Sequence, residues 1–204
     1  MAETEKKELK RKEILAQALV LFSQWGFRKT TIEDVAGKLG MTKGNLYFYV
    51  KNKQDLYSQA IHQALTQWQA HVKSEVDRAG SAPDMFRAMA RSAVSYIESD
   101  AVLQALLVKD PDILTLDREN DRFPEANAAA RGIIREIIDQ GIRDGAFAAA
   151  DPDAAVEYLF SIYMMFLIQT YVYLDQKDFH RIFDAALELN LRGLIHNPEK
   201  EKDR

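Results

Sequence analysis

The chain has no cysteine among its 204 residues. No disulfide framework, thiol nucleophile or cysteine-based zinc site is therefore open to it. Its four histidines, His62, His71, His180 and His196, are scattered without paired ligand spacing, so no metal site is expected. Period-two alternation and Asn-Gly turns are missing, which removes the usual signals of strands and hairpins. No apolar run reaches the roughly 18 residues of a membrane span. The best stretch, 158–174, is interrupted by Ser161, Gln169 and Thr170 and reads as a buried helix. The segment 1–12 is charged and has no apolar centre, so it is not expected to be a secretory signal. A soluble cytoplasmic protein is the simple expectation. No Ser-His-Asp set, glycine-rich phosphate loop or carboxylate pair emerges, so neither an enzyme nor a cofactor is expected. The acidic run Asp110, Asp112, Asp117, Glu119 and Asp121 reads as a solvated loop, not a calcium site.

What the chain does have is charge asymmetry and helical periodicity. The net charge is −4, but residues 1–57 carry 11 Lys/Arg against 7 Asp/Glu, and residues 58–204 carry 16 against 24. A basic first quarter joined to an acidic remainder suits an anionic partner for the former. Over 8–25, Ile14, Leu15, Ala18, Leu19, Phe22 and Trp25 form one apolar stripe, which Gly26 closes. Either Thr30 or Thr31 caps a short second helix bearing Ile32, Val35, Ala36 and Leu39, with an acid three residues on. Gly40 makes a sharp turn. Thr42 caps a third helix to about Val50, and Asn52 a fourth from Lys53 to about residue 78.

Further helices are expected over 84–99, 101–108, 123–144, 152–174 and 178–195. The expected fold is all-α: a three-helix unit, 8–55, followed by an antiparallel helical bundle, 56–196. Residues 1–7 and 197–204 would be flexible tails.

Two short helices about a glycine turn, the second opening Thr-Lys-Gly-Asn, have the pattern of a helix-turn-helix. In such a unit the start of the second helix meets base edges. Lys43 would donate to guanine, Asn45 would pair with adenine or reach a phosphate, and Gly44 would let the backbone approach closely. Leu46 and Val50 take the inward positions, so at least one of Tyr47 and Tyr49 must stand exposed as a phosphate ligand. Lys53 adds charge at a helix N-terminus, where free N–H groups already favour anions. The basic arm Lys6, Lys7, Lys10, Arg11 and Lys12 is diluted by Glu3, Glu5, Glu8 and Glu13. It reads equally as a solvated arm and as a minor-groove arm.

The run Gly40-Met41-Thr42-Lys43-Gly44-Asn45-Leu46-Tyr47-Phe48-Tyr49-Val50-Lys51-Asn52-Lys53-Gln54-Asp55-Leu56 resembles the signature of the TetR family around its recognition helix. Thr30–Ala36 and Ala18–Phe27 resemble that family's preceding helices. The resemblance covers about a quarter of the chain. It implies a phosphate or base contact at Thr31 and base-reading positions at Thr42, Lys43, Gly44 and Asn45. It also implies phosphate contacts at Tyr47 and Lys53, and backbone or thymine-methyl contacts at Phe48 and Tyr49. Ile32-Glu33 departs from the basic or polar pair common in the family.

The resemblance further implies a homodimer, placed within helices 123–174, acting as a repressor released from a palindromic double-stranded DNA operator by a small effector. Met85, Phe86, Met89, Leu103, Leu106, Leu107, Phe123, Met164, Met165, Phe166 and Tyr171 are the candidate walls of its pocket. They suggest an apolar or amphipathic ligand.

Overall fold

The computed structural model describes residues 2–117, 119–172 and 176–195, apart from the side chains at 2, 171, 172, 176 and 177. The expected tail 197–204 and the effector candidate Tyr171's side chain lie outside the described residues. The described residues are mostly helical, with one isolated bridge between Phe147 and Ile195. They form two compact units, 2–67 with 100–113, and 68–99 with the described residues of 114–195. These groupings do not follow a division at 55/56, because a later helix returns to the first unit.

In the first unit, α1 (Ala2–Lys29) carries Ile14, Leu15, Ala18, Leu21 and Phe22 on its buried face. It begins earlier than expected, so residues 2–7 are helical and not an irregular tail. Gly26 (φ 78°) interrupts it where a C-terminal cap was expected, and helix resumes to Lys29. Trp25 does not join the apolar stripe as expected; it is 47% exposed at the edge of the Gly26 break, while Leu21 takes the inward place.

α2 (Ile32–Lys38) is capped by Thr31, whose hydroxyl accepts from the Asp34 N–H, while the Asp34 carboxylate accepts from the Thr31 N–H at 2.8 Å. This reciprocal arrangement satisfies two otherwise orphan donors. Gly40 (φ 63°) then turns the chain, as only glycine does without strain. α3 (Lys43–Leu46) is capped by Thr42 and is shorter than its expected extent to Val50. The Phe48 N–H bonds Asn45 O and the Tyr49 N–H bonds Leu46 O, so residues 47–49 wind as tightened turns.

α4 (Lys53–Asp77) follows, with the Asn52 side chain accepting from the Asp55 N–H at 2.9 Å. Phe22, Phe27 and Tyr57 pack edge-on at 4.8 and 5.0 Å between ring centres. α6 (Ala101–Lys109) lies against α1 and is capped by Asp100. The short turn α7 (Pro111–Ile113) follows it. Asp110, expected in a solvated acidic run, instead accepts the Tyr57 hydroxyl at 2.5 Å.

The second unit contains α5 (Ala82–Ser99), α8 (Pro124–Arg143), α9 (Pro152–Val172) and α10 (Gln176–Leu194). α8 packs on α9, and α5 on both, while α10 closes over α5 and α9. Ile133, Ile134, Ile137 and Ile138 form the buried face of α8. Trp68, at the start of this unit, buries its ring and donates its indole N–H to the Ala93 carbonyl at 3.2 Å. Between the helices, Arg87 forks onto Glu188 at 2.8 and 3.1 Å, and Arg131 meets Glu157 at 3.1 Å while lying over the Phe160 ring. No helix among the described residues is long and apolar enough to cross a membrane.

Candidate nucleic-acid interface and apolar cavity

The turn at Gly40 presents α3 and the following turns outward. Thr42, Lys43, Gly44, Asn45, Tyr47 and Phe48 are all exposed, whereas Leu46 and Val50 are buried beneath them. Two buried aliphatic anchors thus hold a continuous strip of polar and aromatic groups in water. Phe48 is 79% exposed, a large apolar ring with no core to enter. Tyr47 is 44% exposed, with the Lys43 ammonium 5.9 Å from its ring centre. Tyr49 is half-buried and shares a surface groove with Lys6, Lys7 and Lys10 of α1, together with Glu3 and Glu13, so a mixed-charge arm flanks the same strip.

Two expected ligands are differently employed in the free protein. Lys43 is ion-paired with Glu33 of α2 at 2.5 Å. The hydrogen bond between them lowers the Glu33 carboxyl below its ordinary range and raises the Lys43 ammonium above its own. Lys53, expected to point at phosphate from the start of α4, donates instead to the Phe27 carbonyl at 3.0 Å and lies 4.5 Å from the centre of the Phe27 ring. The end of α1 leaves carbonyls without helical partners, and the ammonium satisfies one of them. Thr31 is exposed, but its hydroxyl is held in the α2 cap, donating to Asp34 at 2.6 Å.

The second unit holds a small apolar cavity of about 40 Å³, partly open to solvent. Phe86 and Met89 of α5 and Phe166 of α9 line it, together with Ile134, Leu159, Tyr163, Leu187 and Asn190. The other described candidates lie elsewhere. Leu103, Leu106 and Leu107 are fully buried on α6, in the core of the first unit. Met164 and Phe123 are buried without lining the cavity, Met165 is exposed, and Met85 is half-buried outside the lining. Met-and-aromatic content could not separate wall from core, because both require the same side chains. Tyr163 and the α10 residues carried no distinguishing signal. Among the described residues no group of three or more His, Asp or Glu is placed to hold a metal ion.

The arrangement in the first unit is a helix-turn-helix: a capped helix, a glycine turn, and a second helix start laid bare. Residues 14–60 match the family model described as "Bacterial regulatory proteins, tetR family". The chain is 42% identical to the HTH-type transcriptional regulator RutR of Escherichia coli over 65 residues, 32% of this chain and 31% of that protein. That match spans about a third of the relative's length. Against the HTH-type transcriptional repressor KstR2 of Rhodococcus jostii, identity is 26% over 175 residues, 78% of this chain and 77% of that protein. The crystal structure of a TetR-family transcriptional regulator from Pectobacterium atrosepticum superposes with a TM-score of 0.77 at 24% identity, covering 95% of this chain and 98% of that one. The family model and these relatives support membership of the TetR family, with the match strongest over the helix-turn-helix. The relatives named here are regulators of transcription, not enzymes.

Proposed function

We propose that this protein is a homodimeric transcriptional repressor that binds a palindromic DNA operator through residues 42–48 and is released by a small apolar effector. The observation that carries the reading is the strip Thr42–Phe48, exposed over the buried pair Leu46 and Val50 in a region of surplus positive charge. Thr42, Lys43, Gly44 and Asn45 face the bases; Tyr47 and Phe48 face the sugar–phosphate edge, and Thr31 lies beside them. Tyr49 and the lysines of α1 extend the phosphate-facing surface.

Two-fold pairing would set two such strips one helical turn of DNA apart. α9 supports that pairing with exposed Tyr158 and Met165, and α10 with exposed Ile182 and Leu189. The apolar face of α8 is used within the protomer, apart from Ile142. These exposed groups support a dimer face on α9 and α10, whereas one within helices 123–174 was expected. The effector enters the cavity of the second unit, to which residues of α4 from Trp68 onward belong, whereas Lys53–Gln67 of the same helix belong to the first. Operator affinity falls by as much as the effector prefers the released state.

Selection of bound sequences from a random DNA library tests the reading. It predicts an enriched inverted repeat, lost on substitution of Lys43 and Asn45 together. Recovery of no preferred sequence overturns it.

A further inference from the structure

The cavity of the second unit has apolar walls broken by two polar side chains. Its lining includes no Lys, Arg, His, Asp or Glu. The two polar side chains are Tyr163 and Asn190, and the Asn190 amide nitrogen is already committed to the Ala186 carbonyl at 2.8 Å. The Tyr163 hydroxyl is buried and has no hydrogen-bond partner among the described residues. A hydroxyl removed from water without a partner costs stability, on the order of 1–3 kcal/mol. Such groups are rare in folded proteins and call for an explanation. Burial also raises the phenol above its ordinary range, so it remains a neutral O–H donor at every working pH.

We propose that the Tyr163 hydroxyl is the recognition group of the cavity, donating a hydrogen bond to a carbonyl or hydroxyl oxygen of a neutral, predominantly apolar ligand. This rests on the reading of the cavity as the effector site and narrows its ligand class. A carboxylate, phosphate or ammonium lodged beside Tyr163, between Phe86, Met89 and Phe166, would meet no countercharge on the wall, which disfavours it there. A pure hydrocarbon would fill the same volume and leave the phenol unpartnered. A site that offers one donor in an apolar wall favours a ligand with one acceptor, because the mismatched analogue strands a buried polar group.

The test uses matched hydrocarbon, ketone and carboxylate forms of two skeletons at pH 8: decane, 2-decanone and decanoate, and decalin, 2-decalone and decalin-2-carboxylate. Binding is read by calorimetry and by the thermal midpoint of the full chain, and operator release by mobility shift. In at least one skeleton the ketone should bind more tightly than both analogues and release operator DNA. Tyr163→Phe should weaken ketone binding about tenfold, leave hydrocarbon binding unchanged, and match or exceed the unliganded protein's own thermal midpoint. Equal ketone affinity in Tyr163→Phe, or tighter carboxylate binding, overturns the role of Tyr163 while leaving the effector site standing. Absence of binding by every compound overturns both readings.

Discussion

Lys43 and Glu33 face each other across the helix-turn-helix, ammonium to carboxylate at 2.5 Å, both half-exposed. The pair joins the first turn of α2 to the first residue of α3, and it occupies the lysine best placed to read a base. If Lys43 reads a base as proposed, DNA binding exchanges Glu33 for a base edge and brings a carboxylate near the phosphates. Glu33→Gln should raise affinity for operator and non-operator DNA alike, by about threefold to tenfold. It should also steepen the salt dependence, since one net positive charge is added to the surface facing DNA. Titration at several salt concentrations checks this; unchanged or weaker binding would show that Glu33 instead holds Lys43 in its productive position.

Tyr47 is set apart from Lys43 by what its polar atom offers. A neutral hydroxyl at the rim of the strip suits a phosphate oxygen and carries no sequence information. Tyr47→Phe keeps the ring under the Lys43 ammonium and removes only the hydroxyl. Affinity should fall about tenfold, an effect of about 1.4 kcal/mol, equally for operator and scrambled DNA. A loss confined to operator would instead give the hydroxyl a base-reading role.

Lys53 separates two roles that the sequence alone merges. Its ammonium rests on the Phe27 carbonyl and ring, bridging the end of α1 to the start of α4. If that anchor is its work in the DNA complex too, Lys53→Met should lower the thermal midpoint and leave the salt slope of binding unchanged. A phosphate contact would instead reduce the magnitude of the slope by about 0.9. The two readouts are independent, so one variant distinguishes the roles.

The α2 cap predicts an acid response. The Thr31 side chain, followed by the Thr31 N–H, holds Asp34 below its usual value of 3.8. A carboxylate lowered in the folded state contributes stability that is present above its unfolded value and is lost as pH falls through the folded one. α2 should therefore loosen first below about pH 3.8, seen as faster amide exchange of the Asp34 N–H and its neighbours. Asp34→Asn should be less stable at neutral pH and should flatten that acid response. An unchanged response would mean that other carboxylates, such as Glu188 beside Arg87, govern it.

The first unit was legible because its signals are local. Thr31, Gly40, Thr42 and Asn52 are punctuation whose geometry follows from backbone chemistry, and each performs the expected cap or turn. The partners of Lys43 and Lys53 were not legible, since Glu33 and Phe27 meet them only through tertiary packing. The cavity was less legible again. α9 is apolar around most of its circumference, so periodicity could not say which residues face a void, which face α8, and which face outward. Leu103, Leu106 and Leu107 show the same ambiguity: a short apolar helix in the middle of the chain gives no indication that it returns to the first unit.

Gly141 carries a stability prediction that no sequence pattern suggested. It lies on α8 directly beneath the Phe147 ring: a Cβ there would stand 2.5 Å from Cγ and 2.7 Å from Cε2, with Cδ2 closer still. An alanine in a helix ordinarily gains about 0.5–1 kcal/mol over glycine. Here the ring has little room to retreat. Phe147 is buried, its N–H donates to the Gly141 carbonyl at 3.0 Å, and its backbone pairs with Ile195. Overpacking at such a site costs about 1–3 kcal/mol and outweighs the helix preference. Gly141→Ala should thus lower the thermal midpoint by roughly 2–10 °C for a chain of this size. Phe147→Leu in the same chain should recover part of the loss by vacating the ring's volume. A midpoint raised by Gly141→Ala alone would show that the segment 144–148 moves freely enough to accommodate the methyl group.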